Sequence, residues 1–567
     1  MRVWALAVFT TGMATVIYAS TWIEFSNPRF QIVTDAGESA ARQLVTDLEQ
    51  FDGAIAHSAG SSSPAIGPAS GPVRIYVFRD EREFSEFRKE PWSAGATVTR
   101  GTSAAPFIVM FAGTGTRAAA IHEYVHVLAR RGDWKLPHWF GEGLAEIYGH
   151  SQPIGRDRLS IGQRLPEHLA QLRGQLLEPS MFVLEPRPDT HLRYYAASWA
   201  LVHMMLMDPE HRALTERLMA TGTWDASFAQ LLTELQAYVA RPIWNEATVG
   251  APRSPPRNVS IKVIPPLDAE FMLAELLLDV GRPDASAKRY QRIVAAHPKD
   301  SASPEAAGFA ALASGQLELA RKEFHRAVDL KSTRARVWSD LAALDHESGV
   351  AWPEVKKLLE RASELDPADF QAALSLGVHE SDDGMFPAAV EHLGAAAKAA
   401  PGRTDVWHAY AWALSKSGSL DEARLAAKRA LRVASTPEWE SMASDLVTSL
   451  EKGGSPAGAT RRGPEVVTSS AWSLPKPDSE VAGQFVEFVC EGDHPRFKIL
   501  DAASGQLIEL RVENPKQVAV LTTGSGESSI ELKCGPQDRR PIRVGFRKFD
   551  GTVLEVKFPQ VHDLKRF

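Results

Sequence analysis

Residues 315–348 read GQLELARKEFHRAVDLKSTRARVWSDLAALDHES, a glycine followed by two helix-favouring stretches, and Gly349 starts the pattern again. Gly281, Gly315, Gly349, Gly384 and Gly418 are separated by 34, 34, 35 and 34 residues. Small residues recur in register after the last four, as Ala320 and Ala327, Ala362, Ala389 and Ala396, and Ala423 and Ala430, while Pro298, Pro367 and Pro401 close repeats at matching offsets. Glycine suits the turn between paired helices because it enters left-handed backbone without steric cost. The alanines let neighbouring helices approach closely, so that each unit buries the face its neighbour exposes. The spacing predicts five helix-turn-helix units over residues 267–450, ten helices stacked as a right-handed solenoid. A concave face that binds a peptide or protein partner is expected, with a rigid spacer as the alternative role.

The text changes on either side of this array. Residues 251–266, with APRSPPR at 251–257 and then Pro265 and Pro266, predict a Pro-rich linker and a domain boundary. Residues 21–250 alternate strand-like runs (30–33, 73–78, 107–111) with helical ones (38–51, 116–131), an α+β pattern, and residues 58–72 read as a surface loop. Residues 451–479 are rich in Gly, Pro and Ser and predict a flexible linker. Residues 480–567 carry short apolar alternations such as FVEFVC, LIELRV and SIELKC, which predict a small all-β barrel or sandwich. Cys490 and Cys534, the only two cysteines, end two of these runs and are expected to pair as a disulfide in an oxidising compartment. They are too few for a thiolate metal site, so any metal must be held by His and carboxylates.

The first 20 residues place Arg2 before an uncharged apolar stretch and then Ala19 and Ser20, which reads as a signal peptide, with an uncleaved membrane anchor as the alternative. Export to the periplasm or cell envelope is therefore expected. With 567 residues, 44% hydrophobic and 23% charged, the chain has globular composition, which excludes global disorder and a polytopic membrane protein. A net charge of −7 has the wrong sign for a nucleic-acid partner.

The passage AAAIHEYVHVLARR, residues 118–131, contains His122-Glu123-Tyr124-Val125-His126, an HExxH pattern. Residues four apart share one helical face, so both imidazoles can meet one Zn²⁺ ion while Glu123 reaches a water beside it as general base. With the 17 histidines of this chain, a chance match is expected only about 0.03 times. A catalytic zinc takes three protein ligands and keeps one position open. In LPHWFGEGLAEIYG, residues 136–149, Glu142 follows His126 by 16 positions and Glu146 lies one turn further. Glu142 is the expected third ligand, with His138 as a lower-ranked rival, and Glu146 is expected to accept the free N–H of a ligating imidazole. In HLRYYAASWALVHMML, residues 191–206, Tyr194, Tyr195 and His203 are candidate donors to the oxygen that becomes negative, and Tyr195 is preferred because a phenol leaves no extra charge in the site.

HEYVH followed by WFGEGLAEIYG resembles the gluzincin metallopeptidases, and more closely the peptidase MA-like domains of exported bacterial proteins. Glu142 matches the glutamate of their Asn-Glu-Gly signature, with Gly141 in place of the Asn and a shorter interval from the second His than in the aminopeptidase N type. The likeness extends over residues 22–238. The repeat period is similarly that of the tetratricopeptide family. The resemblance implies zinc-dependent hydrolysis of a peptide or protein substrate with Glu123 as base, and it implies that strand 107–111 is an edge on which an extended peptide lies, with an ordinary core strand as the alternative. The competing class is a non-catalytic envelope scaffold whose repeats bind a protein partner.

Overall fold

The computed structural model describes residues 21–58, 72–88, 93–98, 106–131, 136–174, 177, 182, 190–221, 228–434, 437–452, 479–490, 495–502, 505–512, 519–522, 534–536, 541–546 and 553–558. The expected signal or anchor (1–20), nearly all of the 58–72 loop and nearly all of the 451–479 linker lie outside them. The chain divides into two compact units, residues 1–280 and 281–567. It is mostly helical, with sheets in both units. No described helix is long and apolar enough to cross a membrane.

The first unit runs β1 (Ile23–Ser26), β2 (Phe30–Thr34), α1 (Glu38–Ser58), β3 (Val73–Phe78), α2 (Glu81–Phe84), β4 (Gly95–Val98), β5 (Phe107–Phe111), α3 (Thr116–Arg131), α4 (His138–Gly149), β6 (Gln152–Ile154), β7 (Arg158–Ile161), α5 (Pro166–Leu172), α6 (His191–Met207), α7 (Arg212–Thr221), α8 (Phe228–Val239), β8 (Ala247–Gly250), β9 (Ser260–Val263) and α9 (Pro266–Asp279). Its main sheet has the order β4-β5-β3-β2-β1-β9, with β2, β3 and β5 parallel and β4, β1 and β9 antiparallel to their neighbours. Alternate residues Phe25, Phe30, Ile32, Ile75, Val77, Ile108 and Met110 share one core with apolar residues of α1, α3, α4 and α6. The opposite face is also buried: the Phe78 ring packs at a tilt against Phe84 and Phe87, and Tyr76 meets Phe107 edge to face.

Two expectations change here. Strand 107–111 is interior, flanked by β3 and β4, and among the described residues β4 ends the sheet on that side. Residues 251–266 are not a free linker. β9 pairs with β1 along its whole length, the Ala251 and Arg253 N–H groups donate to the Asp157 and Arg156 carbonyls, and Arg253 pairs with buried Asp47 at 2.7 Å. Helix α9, expected to open the first repeat, falls within this unit and packs on residues 85–87, and Gly281 after it has a positive φ of 81° like the later repeat glycines.

The second unit begins at Gly281 with α10 (Pro283–Ala296), α11 (Ala302–Ala313), α12 (Leu317–Asp329), α13 (Ala335–Glu347), α14 (Trp352–Leu365), α15 (Phe370–Asp382), α16 (Phe386–Ala399), α17 (Thr404–Ser417), α18 (Leu420–Arg432) and α19 (Pro437–Glu451). Gly315, Gly349, Gly384 and Gly418 sit in the turns of four successive hairpins with φ of 69°, 80°, 74° and 90°, where an L side chain is strained. Ala320, Ala327, Ala362, Ala389, Ala396, Ala423 and Ala430 are fully buried between helices.

Strands β10 (Ser479–Val489), β11 (Arg496–Asp501), β12 (Leu507–Arg511), β13 (Ala519–Thr522), β14 (Gly535–Pro536), β15 (Pro541–Phe546) and β16 (Val553–Phe558) follow. Among the described residues they form one sheet, β12-β11-β10-β15-β16-β13, with β14 also on β10. The register Phe488↔Gly535 brings Cys490 beside Cys534, and the two are joined with Cα atoms 5.6 Å apart.

Candidate metal centre

The site stands where α3, α4 and α6 meet under the β4 edge. Helix α3 is held from behind by Tyr124, whose hydroxyl donates to Asp52 at 2.7 Å, and Asp52 in turn pairs with Arg29 at 2.5 Å. Helix α4 lies unusually close to its neighbours because it carries glycine at the contacts. A Cβ on Gly149 would sit 2.9 Å from the Ala118 carbonyl oxygen of α3, and one on Gly143 would sit 2.3 Å from the Ser198 carbonyl oxygen of α6.

This packing brings His122, His126 and Glu142 together, with one ligand atom of each within 4.8 Å of the others. His122 Nε2 lies 3.2 Å from His126 Nε2 and 3.3 Å from Glu142 Oε2, and His126 Nε2 lies 3.4 Å from the same oxygen. Donors about 2.0–2.1 Å from a tetrahedral zinc are separated by edges of about 3.3–3.4 Å, so the triangle has the size zinc requires. Glu142 Oε2 is buried and faces the two imidazoles without a further hydrogen bond, an arrangement that favours a cation beside it, a protonated imidazole or a metal ion. The donor set of two imidazoles and one carboxylate suits the same ion.

Glu146 sits behind His122. Its Oε1 is 3.2 Å from His122 Nδ1 and its Oε2 is 2.9 Å from His168 Nε2, so the imidazole is oriented with Nε2 toward the triangle. Burial works against a charge on His122, but the adjacent Glu142 and Glu146 carboxylates outweigh it and raise its pKa well above the usual histidine value. Burial likewise opposes ionisation of Glu142 and Glu146, yet the neighbouring histidines hold both below the usual carboxylate range.

The remaining candidates separate. Glu123 is half-buried, and its Oε2 accepts a hydrogen bond from Thr97 Oγ1 at 2.8 Å. The Tyr195 ring centroid lies 6.3 Å from that of His122, and burial together with Glu142, Glu123 and Glu146 drives the phenol pKa far up, so the hydroxyl keeps its proton. Tyr194 is turned away, its hydroxyl 2.6 Å from His138 Nδ1. His138 is outside the triangle, with Nε2 3.3 Å from the other oxygen of Glu142. His203 is not a donor to the site: Tyr238 and the Gly162 carbonyl occupy its two ring nitrogens at 2.8 and 2.7 Å. Thr97 and His168 escaped the sequence reading. Both act through contacts distant in sequence, and neither stands at a periodic offset from the motif.

Among known families, residues 381–446 match the tetratricopeptide repeat model. None of the curated proteins is similar to the chain. Among solved structures it is similar to the MamA protein (20% identity, 30% of this chain and 91% of that one, TM-score 0.23) and to YrrB, a TPR protein with an unusual peptide-binding site (16%, 31% and 90%, 0.25). A third is pilF of Pseudomonas aeruginosa (17%, 33% and 84%, 0.28). The family match makes residues 381–446 repeats of the tetratricopeptide kind, modules that generally bind protein partners.

Proposed function

We propose that the chain is an exported tetratricopeptide scaffold that recruits a protein partner and carries, in its first unit, a gluzincin-like zinc metallopeptidase centre. The scaffold has the wider support, because it rests on the family match at residues 381–446 as well as on the glycine-turn hairpins. The hydrolytic centre rests on one observation, the 3.2–3.4 Å triangle of His122, His126 and Glu142, which is the size a tetrahedral zinc requires. Export rests on the apolar opening sequence, and the Cys490–Cys534 disulfide supports it, since such bonds persist in oxidising compartments.

His122, His126 and Glu142 would hold the zinc, which supplies Lewis acidity and an acidified water when bound. Glu123, beside His122 on α3, takes a proton from water and returns it to the leaving amine. Tyr195, kept protonated by burial and by three nearby carboxylates, donates to the carbonyl oxygen as it gains charge. Glu146 keeps the His122 ring in one orientation.

Metal analysis and a peptide-library digest test both parts. The wild-type protein should retain about one zinc per chain after dialysis and His126→Ala should lose it. Glu123→Gln should keep the metal and lose more than about a hundredfold in turnover. Zinc retained with no turnover in the wild type would favour the second reading, a non-catalytic envelope scaffold with a peptidase-like recognition surface.

A further inference from the structure

We propose that strand β4 aims the general base, with Thr97 as the positioning residue for Glu123; the inference rests on the hydrolytic reading above. Residues two apart on a strand point to the same face, so Gly95 and Thr97 both face α3. Thr97 Oγ1 lies 2.8 Å from Glu123 Oε2 and 3.0 Å from the Glu123 carbonyl oxygen. A hydroxyl has one proton to donate, and a carboxylate is the stronger acceptor, so the proton is committed to Oε2. Oε1 is then the oxygen presented to water.

The clamp is stiff at each link. Thr is β-branched, which restricts its χ1 in a strand. The strand is itself fixed, since all four residues of β4 pair with β5, from Gly95↔Met110 to Val98↔Phe107, and β5 lies inside the sheet. Helix α3 fixes the Glu123 backbone but leaves its side chain several rotatable bonds, which Thr97 removes. Gly95 supplies the room: a Cβ there would come within 3.4 Å of Glu123 Cγ and 3.2 Å of Met110 Cβ, crowding the side chain that Thr97 holds.

The test compares zinc-loaded full-length wild type, Thr97→Val and Thr97→Ser. Valine matches threonine in shape without the donor, and serine keeps the donor. Zinc content should be equal in all three. Thr97→Val should lose about 10- to 100-fold in kcat with KM nearly unchanged, because only the orientation of the base is altered. Thr97→Ser should recover most of that loss. In crystals of the Thr97→Val protein, the Glu123 carboxylate should leave its wild-type position while His122, His126 and Glu142 stay. Wild-type turnover in Thr97→Val, zinc loss from it, or an equal kcat loss in Thr97→Ser would overturn the proposal. A wild-type chain that hydrolyses no peptide would instead sink the hydrolytic reading, and the crystals would then decide alone. Glu123 displaced by Val and restored by Ser upholds the positioning role, and Glu123 unmoved overturns it.

Discussion

Gly143→Ala should damage the metal centre without touching a ligand. The added Cβ would lie 2.3 Å from the Ser198 carbonyl oxygen and 2.6 Å from Val202 Cγ2. An ordinary carbon–oxygen contact needs about 3.3 Å or more, so α4 and α6 must part by about 1 Å. The Ser198 carbonyl is backbone and cannot rotate aside. Overpacking of this kind costs about 1–3 kcal/mol, offset by up to about 1 kcal/mol from the better helix propensity of Ala. The net loss of stability should be about 1–2 kcal/mol. The site should suffer more, because Glu142 is the adjacent residue and a 1 Å shift is about half a zinc–oxygen bond length. Zinc affinity, measured by competition with a chromophoric chelator, should fall at least about tenfold. Gly141→Ala is the control: nothing lies within 4 Å of its Cβ, so it should leave zinc binding alone and stabilise by up to about 1 kcal/mol. Unchanged zinc affinity and thermal stability in Gly143→Ala, or equal damage from Gly141→Ala, would refute the close-packing argument.

Glu146→Gln should weaken zinc binding about 10- to 100-fold in the same competition assay, because the His122 Nδ1–H loses its charged partner. Apparent zinc affinity should rise with pH through neutrality, since the raised pKa of His122 means that binding must displace a proton; calorimetry in buffers of different ionisation enthalpy should show proton release. The metal-free fold should respond oppositely on its two sides. The His122 contribution is complete below its unfolded value of about 6.5 and is lost as pH rises through the higher folded value. The contributions of Glu142 and Glu146 are complete above about 4.3 and are lost as pH falls. Urea midpoints of the metal-free protein should therefore peak at about pH 5–6. A fragment ending at residue 280 should fold and keep zinc, whereas one ending at residue 250 should lose about 3 kcal/mol or more, because it strips β9 from β1 and leaves buried Asp47 without Arg253. Equal melting temperatures for the two fragments would show that residues 251–266 are a linker after all.

What was legible in the sequence is what the chain encodes within a turn or two. Helix α3 follows from its own residues, and the four-residue spacing of His122 and His126 sets both on one face. The repeat glycines announce their turns because a positive φ is a local demand. The failures all involve neighbours supplied from elsewhere. A strand does not state whether it lies at an edge, so an edge and a core strand read alike at 107–111, and β4 is too short at four residues to show an alternation. His203 is consumed by partners 35 and 41 residues away. Proline-rich residues 251–257 read as linker because the groups that satisfy them, such as Gln50, which donates to the Ala251 carbonyl, are 201 residues distant. The division extends to the chemistry. On the proposed reading, zinc binding would need the triangle, whose corners two helices supply from nearby sequence, while turnover would also need an aimed Glu123, whose carboxylate is bonded by a strand hydroxyl 26 residues away. Zinc content and turnover therefore interrogate different parts of the same fold: a peptidase-like scaffold would keep the first through α3 and α4 alone, and an enzyme must keep β4 in place as well.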